Sequence, residues 1–127
     1  MSQKREKGVL YVFAILFGGE FAGSISVRRR EEDGMGAVDY WVAPPFWNKG
    51  IGTKAVKAAV EYGFNDLNIK TFETFCLADN VGSSMVLEHN GFELVNKFTI
   101  GSGFKHEGQL AKLYRLDRQS SAIAQDK

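Results

Sequence analysis

Two glycines lie close together in the stretch WNKGIGTK, residues 47–54, directly before a run of alanines and valines. From Ile51 to Leu67 the apolar side chains recur with the period of an amphipathic helix, so the glycines are expected at a helix N-terminus. The first turn of a helix leaves backbone N–H groups unpaired and carries the positive end of the helix dipole. Glycine lets an anion approach these groups, because no Cβ stands in the way.

A diphosphate is the ligand that this stretch fits best. Lys49 would add a positive charge, and the backbone N–H donors would come from Asn48, Lys49, Gly50, Ile51, Gly52 and Thr53. The residues alone leave a second interpretation open, in which Gly50 and Gly52 only turn the chain after two prolines. Two other nucleotide motifs are excluded, because the P-loop spacing is absent and Ala55 replaces the third glycine of G-x-G-x-x-G.

The composition is that of a folded domain. The chain has 127 residues, of which 44% are hydrophobic and 24% charged, and we expect a single domain over residues 1–118 with a disordered polar tail at 119–127. The net charge of +1 gives no reason to expect a nucleic-acid or membrane partner. The apolar run at residues 9–17 is interrupted by Gly18 and Gly19 before it could cross a membrane.

Cysteine and histidine are scarce. Cys76 is the only cysteine and there are two histidines, so we expect neither a disulfide within the chain nor a metal site. A cytoplasmic location is the default for such a chain. Cys76 falls within a predicted strand and is a poor candidate for a nucleophile.

The glycine stretch is predicted to lie between strands and helices in the order β-β-β-α-β-α-β-β, which is an α/β (α+β) fold. Alternating and β-branched residues predict strands, and the two helices follow from apolar periodicity and the stop signal Asn90-Gly91. The predicted strands are 9–17, 21–30, 37–43, 71–78, 92–100 and 110–118, and the predicted helices are 51–67 and 81–89.

Two longer stretches resemble one family. YWVAPPFWNKGIGTKAV at 40–56 and DNVGSSMVLEHNGFE at 79–93 are similar to the two motifs of the GNAT acetyltransferases, in the branch of the ribosomal-protein N-terminal acetyltransferases. The resemblance covers residues 9 to about 118. It implies a mixed, mostly antiparallel sheet and acetyl-CoA as cosubstrate.

The resemblance also implies roles for the glycine stretch and the strand before it. Lys49, Gly50, Gly52 and Thr53 would bind the diphosphate of acetyl-CoA. Asn48 and Ile51 depart from the usual family wording, in changes that this loop tolerates. The strand at 40–43 would separate from its neighbour, so that backbone groups near Trp41 and Val42 pair with the pantetheine arm and polarise the acetyl carbonyl.

The implied reaction moves an acetyl group to a primary amine, of a protein N-terminus or a small molecule, by direct attack in a ternary complex. Asn80 would bind the pantetheine, and the Ser83 hydroxyl would donate a hydrogen bond to the departing thiolate. Both residues could instead cap the helix that follows them. The tyrosine acid of many relatives is Leu87 here, as is usual in this branch.

The general base is less directly implied. Ala37 occupies the position where many relatives have a glutamate, and Asp39 lies two residues further along the same strand face. Asp39 is therefore the first candidate. Glu107 and His106 in the last loop are the others, and each of these two could instead be a solvated loop residue.

Relatives also begin with a strand and two helices that form one wall of the acceptor site, whereas only a few residues precede the first strand here. We therefore expect either a shortened relative or a wall supplied by a partner chain, and a homodimer is the partner that we predict. The alternatives to an active enzyme are a weak or inactive module that binds acetyl-CoA or CoA, and an interaction domain that binds neither.

Overall fold

The structure, a computed structural model, describes residues 8–118. The tail predicted at 119–127 lies outside the described residues. The predicted order of elements is confirmed, with bounds that differ by at most one residue. The strands are β1 (Gly8–Phe17), β2 (Glu20–Arg30), β3 (Gly36–Val42), β4 (Thr71–Leu77), β5 (Glu93–Thr99) and β6 (Leu110–Asp117), and the helices are α1 (Ile51–Asp66) and α2 (Val81–His89).

The six strands form one sheet in the order β1-β2-β3-β4-β6-β5. Every neighbouring pair is antiparallel except β3 and β4, which are parallel and are joined through α1. The mixed, mostly antiparallel sheet is therefore confirmed. The first hairpin closes at Gly18 and Gly19, whose φ values of 60° and 85° explain why both turn residues are glycine.

Both helices lie on the same face of the sheet. Phe72 of β4 packs edge-on against Phe64 of α1 at a ring distance of 5.3 Å, and Tyr114 of β6 donates a hydrogen bond to Glu88 of α2. The side chains of β4 that face α1 and α2 alternate with those on the opposite face. The largest fully buried side chains form the layer between helices and sheet: Tyr114, Phe72, Ile69, Val27 and Val56.

Helix α1 approaches β4 closely at Gly63. A Cβ on Gly63 would lie 2.5 Å from Phe72 Cζ, so no larger residue fits without displacing that ring. The backbone of α1 is thereby seated directly on the strand that follows it in the chain.

Strands β3 and β4 pair over a very short distance. Their register contains one residue pair, Gly36 with Phe72, and the next link is the Thr74 hydroxyl, which donates to the Val38 carbonyl at 3.0 Å. Past Val38 no pairing with β4 is recorded, which is the separation that the family resemblance implies. A gap thus opens in the middle of the sheet, beside the start of α1.

Candidate active site

The backbone of β3 provides one side of this gap. Ala43 N–H donates to Ala22 of β2 at 2.7 Å, and in an antiparallel pair the residues that bond to the neighbouring strand alternate with residues that point away from it. Trp41 therefore directs its backbone groups to β2. Tyr40 and Val42 direct theirs towards the gap, so the pair that could meet a ligand there is Tyr40 and Val42.

Trp47 occupies part of this edge. Its indole Nε1 donates a hydrogen bond of 2.6 Å to the Val42 carbonyl, which fixes the short turn between β3 and α1. That turn includes a 3-10 segment, Pro44–Phe46. Of the two backbone groups of Val42, the carbonyl is thus engaged and the N–H is the one that a ligand could use. The sequence did not predict that the Trp47 indole bonds to Val42 or that it lies at the edge of the gap.

The glycine stretch forms an uncapped helix start. Asn48 and Gly50 have φ values of 64° and 75°, in the left-handed region, and Gly50 is the N-cap residue of α1 without a capping side-chain hydrogen bond. The first helical bond of α1 is Lys54 N–H to the Gly50 carbonyl at 3.2 Å. The N–H groups of residues 51–53 precede it in the chain and are open to an anion.

Among residues 8–118, no atom stands close to Gly50 on the side where a side chain would point. A Cβ on Gly50 would meet no described atom within 4 Å, and the first turn of α1 contains no acidic residue. Lys49 is exposed beside it, while Ile51 is buried and anchors the turn in the core. This arrangement fits a diphosphate, because donors, charge and room for the group occur together.

Gly52 serves a different purpose from Gly50. A Cβ on Gly52 would lie 3.1 Å from Tyr40 Cε2 and 3.5 Å from Val86 Cγ2. The absence of a side chain thus lets α1 pack closely against β3 and α2. Thr53 follows in the first turn, and its carbonyl accepts a hydrogen bond of 3.2 Å from Asn90 Nδ2 at the end of α2.

The start of α2 is capped by its own sequence. Asn80 Oδ1 accepts a hydrogen bond of 3.1 Å from Ser83 N–H, so the capping role that the residue types allowed is present. This bond uses only the oxygen of the Asn80 amide and leaves the role of its nitrogen open. Ser83 is half-buried and lies next to Ser84, which is buried beneath the helix.

A polar cluster lies directly behind Ser83. Ser84 Oγ is 3.5 Å from both Cys76 Sγ and Lys112 Nζ, and Tyr114 Oη donates to Glu88 Oε2 at 2.8 Å. Burial raises the pKa of the Tyr114 phenol, so this side chain is neutral at physiological pH. The cluster fixes α2 on β4 and β6. It was not predicted, because its members come from three separate elements.

The candidate bases lie elsewhere. Asp39 is exposed on the sheet face opposite the helices, next to the residue where β3 leaves β4. Glu107 Oε1 accepts a hydrogen bond of 3.0 Å from Gly103 N–H within the β5–β6 loop, where His106 is also exposed, with φ 65°. Asp39 is thus the candidate whose strand borders the gap, whereas Glu107 has a structural partner within its own loop.

Exposed aromatic rings accompany Asp39 on that face. Trp41 of β3 is 51% exposed and Phe75 of β4 is 56% exposed. Each ring has an edge-on neighbour at 5.9 Å, Phe21 for Trp41 and Phe98 for Phe75. The parallel register places Asp39 and Phe75 at the same height on their two strands. Exposed aromatic rings and the Asp39 carboxylate therefore border the gap from the side without helices.

Two features concern the described residues as a whole. Neither helix within residues 8–118 has the length and hydropathy needed to cross a membrane. In the same part of the chain, no three His, Cys, Asp or Glu side chains come together as metal ligands would.

Comparisons with known proteins agree with this geometry. A family model described as an acetyltransferase (GNAT) domain matches residues 1–93. The putative ribosomal N-acetyltransferase YdaF of Bacillus subtilis is 30% identical over 79 residues, which are 61% of this chain and 43% of that protein. The probable N-acetyltransferase YjcK of the same organism is 36% identical over 55 residues, 43% of this chain and 30% of its own length. The chain thus spans less than half the length of these two relatives.

Solved structures share the fold. A GNAT-family acetyltransferase from Bacillus anthracis superposes with a TM-score of 0.77 at 22% identity, over 85% of this chain and 66% of that one. RimL, a ribosomal L7/L12 alpha-N-protein acetyltransferase in complex with coenzyme A, superposes with a TM-score of 0.77 at 20% identity, over 91% and 64%. The family match covers most of the sequence and includes both motifs. The chain therefore belongs to the GNAT family of acetyltransferases.

Proposed function

We propose that the protein is an acetyl-CoA-dependent N-acetyltransferase that acts on a primary amine. The observation that carries the proposal is the difference between its two helix starts. Helix α2 is capped by Asn80, whereas α1 begins at the left-handed Gly50 without a side-chain cap, next to Lys49 and to the gap between β3 and β4. An uncapped helix start with open space in front of it favours an anionic ligand.

The assigned roles follow from the position of each group. The N–H groups of residues 51–53 and the ammonium of Lys49 would bind the diphosphate, and the N–H of Val42 would pair with the pantetheine arm. The cosubstrate, when bound, supplies an activated thioester. Two of the relatives are named as N-acetyltransferases and RimL is a complex with coenzyme A, which supports this assignment.

The chemistry requires one proton acceptor and one proton donor. Asp39 would take a proton from the ammonium form of the acceptor, so that its nitrogen can attack the acetyl carbonyl. The C–N bond forms as the C–S bond breaks, and the nitrogen then loses a second proton. This proton would pass through the Ser83 hydroxyl to the departing thiolate, so that CoA leaves as the thiol and the Ser83 hydroxyl is restored. The exposed rings of Trp41 and Phe75 support an acceptor that carries an ammonium group, because a cation is stabilised over an aromatic face.

Calorimetric titration with CoA tests the binding half of the proposal. Lys49→Gln should raise the dissociation constant about tenfold, because a charged hydrogen bond contributes about 1.5 kcal/mol. Lys57→Gln is the matched control, since Lys57 lies further along α1 in an exposed ion pair with Glu61 at 3.4 Å and should leave the dissociation constant unchanged. Gly52 is unsuitable for this purpose, because any side chain there meets Tyr40.

Turnover tests the catalytic half. Release of CoA from acetyl-CoA should depend on added amine, and Asp39→Asn should reduce that rate by about a hundredfold or more while CoA affinity is retained. Binding without amine-dependent turnover, across peptide N-termini and polyamines, would instead make the protein a binding module. Equal CoA affinity of the Lys49 and Lys57 variants, or no CoA binding by the parent, would contradict the cofactor site itself.

A further inference from the structure

The end of helix α2 is bonded to the first turn of helix α1 through one side chain. Asn90, the C-cap residue of α2, donates from Nδ2 to the Thr53 carbonyl of α1 at 3.2 Å and to the Val86 carbonyl of α2 at 3.0 Å. The amide nitrogen has two hydrogens, so both bonds can form at once. Among residues 8–118, the structure records no other hydrogen bond between the two helices. This amide is therefore the polar link between them.

The apolar packing beside this link is close, but it does not fix a position along the helices. A Cβ on Gly52 would lie 3.5 Å from Val86 Cγ2, so α2 packs on the first turn of α1 at a residue without a side chain. Apolar contacts of this kind are non-directional, whereas a hydrogen bond requires a particular distance and angle. Both Asn90 bonds are partly buried, which strengthens them relative to exposed bonds. They consequently limit how far α2 can slide over α1.

The two helices carry two separate parts of the candidate active site. Thr53 is the third residue of α1 and belongs to the turn whose N–H groups, at residues 51–53, are open to a diphosphate. Ser83 is the third residue of α2, at the end of that helix away from Asn90. Diphosphate and thioester are two groups of one cosubstrate, so the distance between the two helix starts must match the distance between these groups. A shift of α2 against α1 would misplace Ser83 even when the diphosphate is bound.

We propose that Asn90 is a positioning residue for acetyl transfer, which holds the Ser83 hydroxyl at the correct distance from the diphosphate site. Both hydrogens of its amide are used by Thr53 and Val86, so Asn90 acts through the two helices and not by contact with the cosubstrate. The inference rests on the proposed function, because that function assigns the diphosphate to α1 and the thiolate to α2. Loss of the Asn90 amide should therefore affect the rate of transfer and not the binding of the diphosphate.

Asn90→Leu tests this role, because leucine has a similar size and shape but no hydrogen-bond donor. One measurement is kcat with saturating acetyl-CoA and the peptide or polyamine acceptor that the parent uses fastest. The other is calorimetric titration with phosphoadenosine diphosphate, the fragment of CoA that has the diphosphate and no thiol, which gives an affinity and the number of binding sites. The value of kcat per site should fall at least about tenfold, since a displacement of about 1 Å can cost a hundredfold. The affinity for the fragment should change by less than about twofold.

Asn65→Leu is the matched control, because Asn65 is exposed near the end of α1 that lies away from Thr53, and it should leave both quantities unchanged. If Asn90→Leu does not fold, Asn90→Ala replaces it, since a smaller side chain lets water reach the two carbonyls. A variant that is only less stable would lose binding sites and keep its kcat per site. That result, or a loss of fragment affinity with kcat unchanged, would overturn this inference alone. A parent without amine-dependent turnover would overturn the proposed function and this inference with it.

Discussion

At the scale of single residues, Gly50 and Gly52 of WNKGIGTK require glycine for different reasons. Gly50 adopts a left-handed conformation at an open helix start, and Gly52 has an ordinary conformation but a side chain there would lie in tight contact with Tyr40. The two residues belong to one motif, yet the first position is required by its backbone conformation and the second by packing. A substitution at either would therefore be informative about a different property.

Asn80 allows capping and ligand binding to be separated. Asn80→Ala removes the acceptor of Ser83 N–H and should lower the free energy of unfolding by about 1 kcal/mol. Asn80→Asp keeps an oxygen that can accept this bond, so stability should be retained, but it removes the amide donor and should weaken CoA binding. Urea unfolding and calorimetric titration of both variants measure the two effects. If Asn80→Asp binds CoA as tightly as the parent, Asn80 acts only as a helix cap.

At the scale of elements, a glycine inside a helix is required where a side chain would clash, and it lowers stability where a side chain would fit. Gly63 of α1 is in contact with Phe72, so Gly63→Ala should lower the free energy of unfolding by about 1–3 kcal/mol through overpacking. Gly82 of α2 is the control, because a Cβ there has only Asn80 Oδ1 within 4 Å, at 3.8 Å, and Gly82→Ala should stabilise by about 0.5–1 kcal/mol. Thermal unfolding of the two variants should shift in opposite directions, and shifts of the same sign would contradict this packing.

Local sequence patterns determine most of these elements. The alternation of β1 and β2, the glycine turn between them and the helical period after Gly50 are local signals, which is why the predicted bounds differ by at most one residue. The contacts of Gly52 with Tyr40 and of Tyr114 with Glu88 join residues whose approach depends on the completed sheet. No local pattern encodes such an approach, and these were the site features that the sequence did not predict.

At the scale of the whole molecule, the gap divides the sheet into two parts. One part contains β1–β3 and the other β4–β6, and between the two sets of strands the structure records the Gly36–Phe72 pair and the Thr74 hydroxyl bond to Val38. Packing of α1 on Phe72 and the bond from Asn90 to Thr53 hold the parts together on the helix side. The polar contacts between the two sets of strands are therefore few, and the contribution of each can be measured separately.

Thr74→Val tests that dependence. The substitution leaves the buried Val38 carbonyl without its partner and should lower the free energy of unfolding by about 1–3 kcal/mol. Thr71, in the same strand as Thr74, provides the control, because its exposed hydroxyl donates to Asp117 of β6 at 3.0 Å. Thr71→Val should change the free energy of unfolding by less than about 0.5 kcal/mol. Urea denaturation gives both values. Equal decreases in the free energy of unfolding would show that the Thr74–Val38 bond contributes no more than an exposed hydrogen bond.

The Trp47–Val42 hydrogen bond has an optical consequence. The chain contains two tryptophans, Trp41 and Trp47, and both stand beside the gap on or directly after β3. Indole emission responds to the polarity and hydrogen bonding around the ring. Because both indoles of the protein lie beside the gap, its indole emission depends on the surroundings of that region. The intrinsic fluorescence of the unlabelled protein is accordingly a spectroscopic signal of what enters the gap, largely free of background from the rest of the fold.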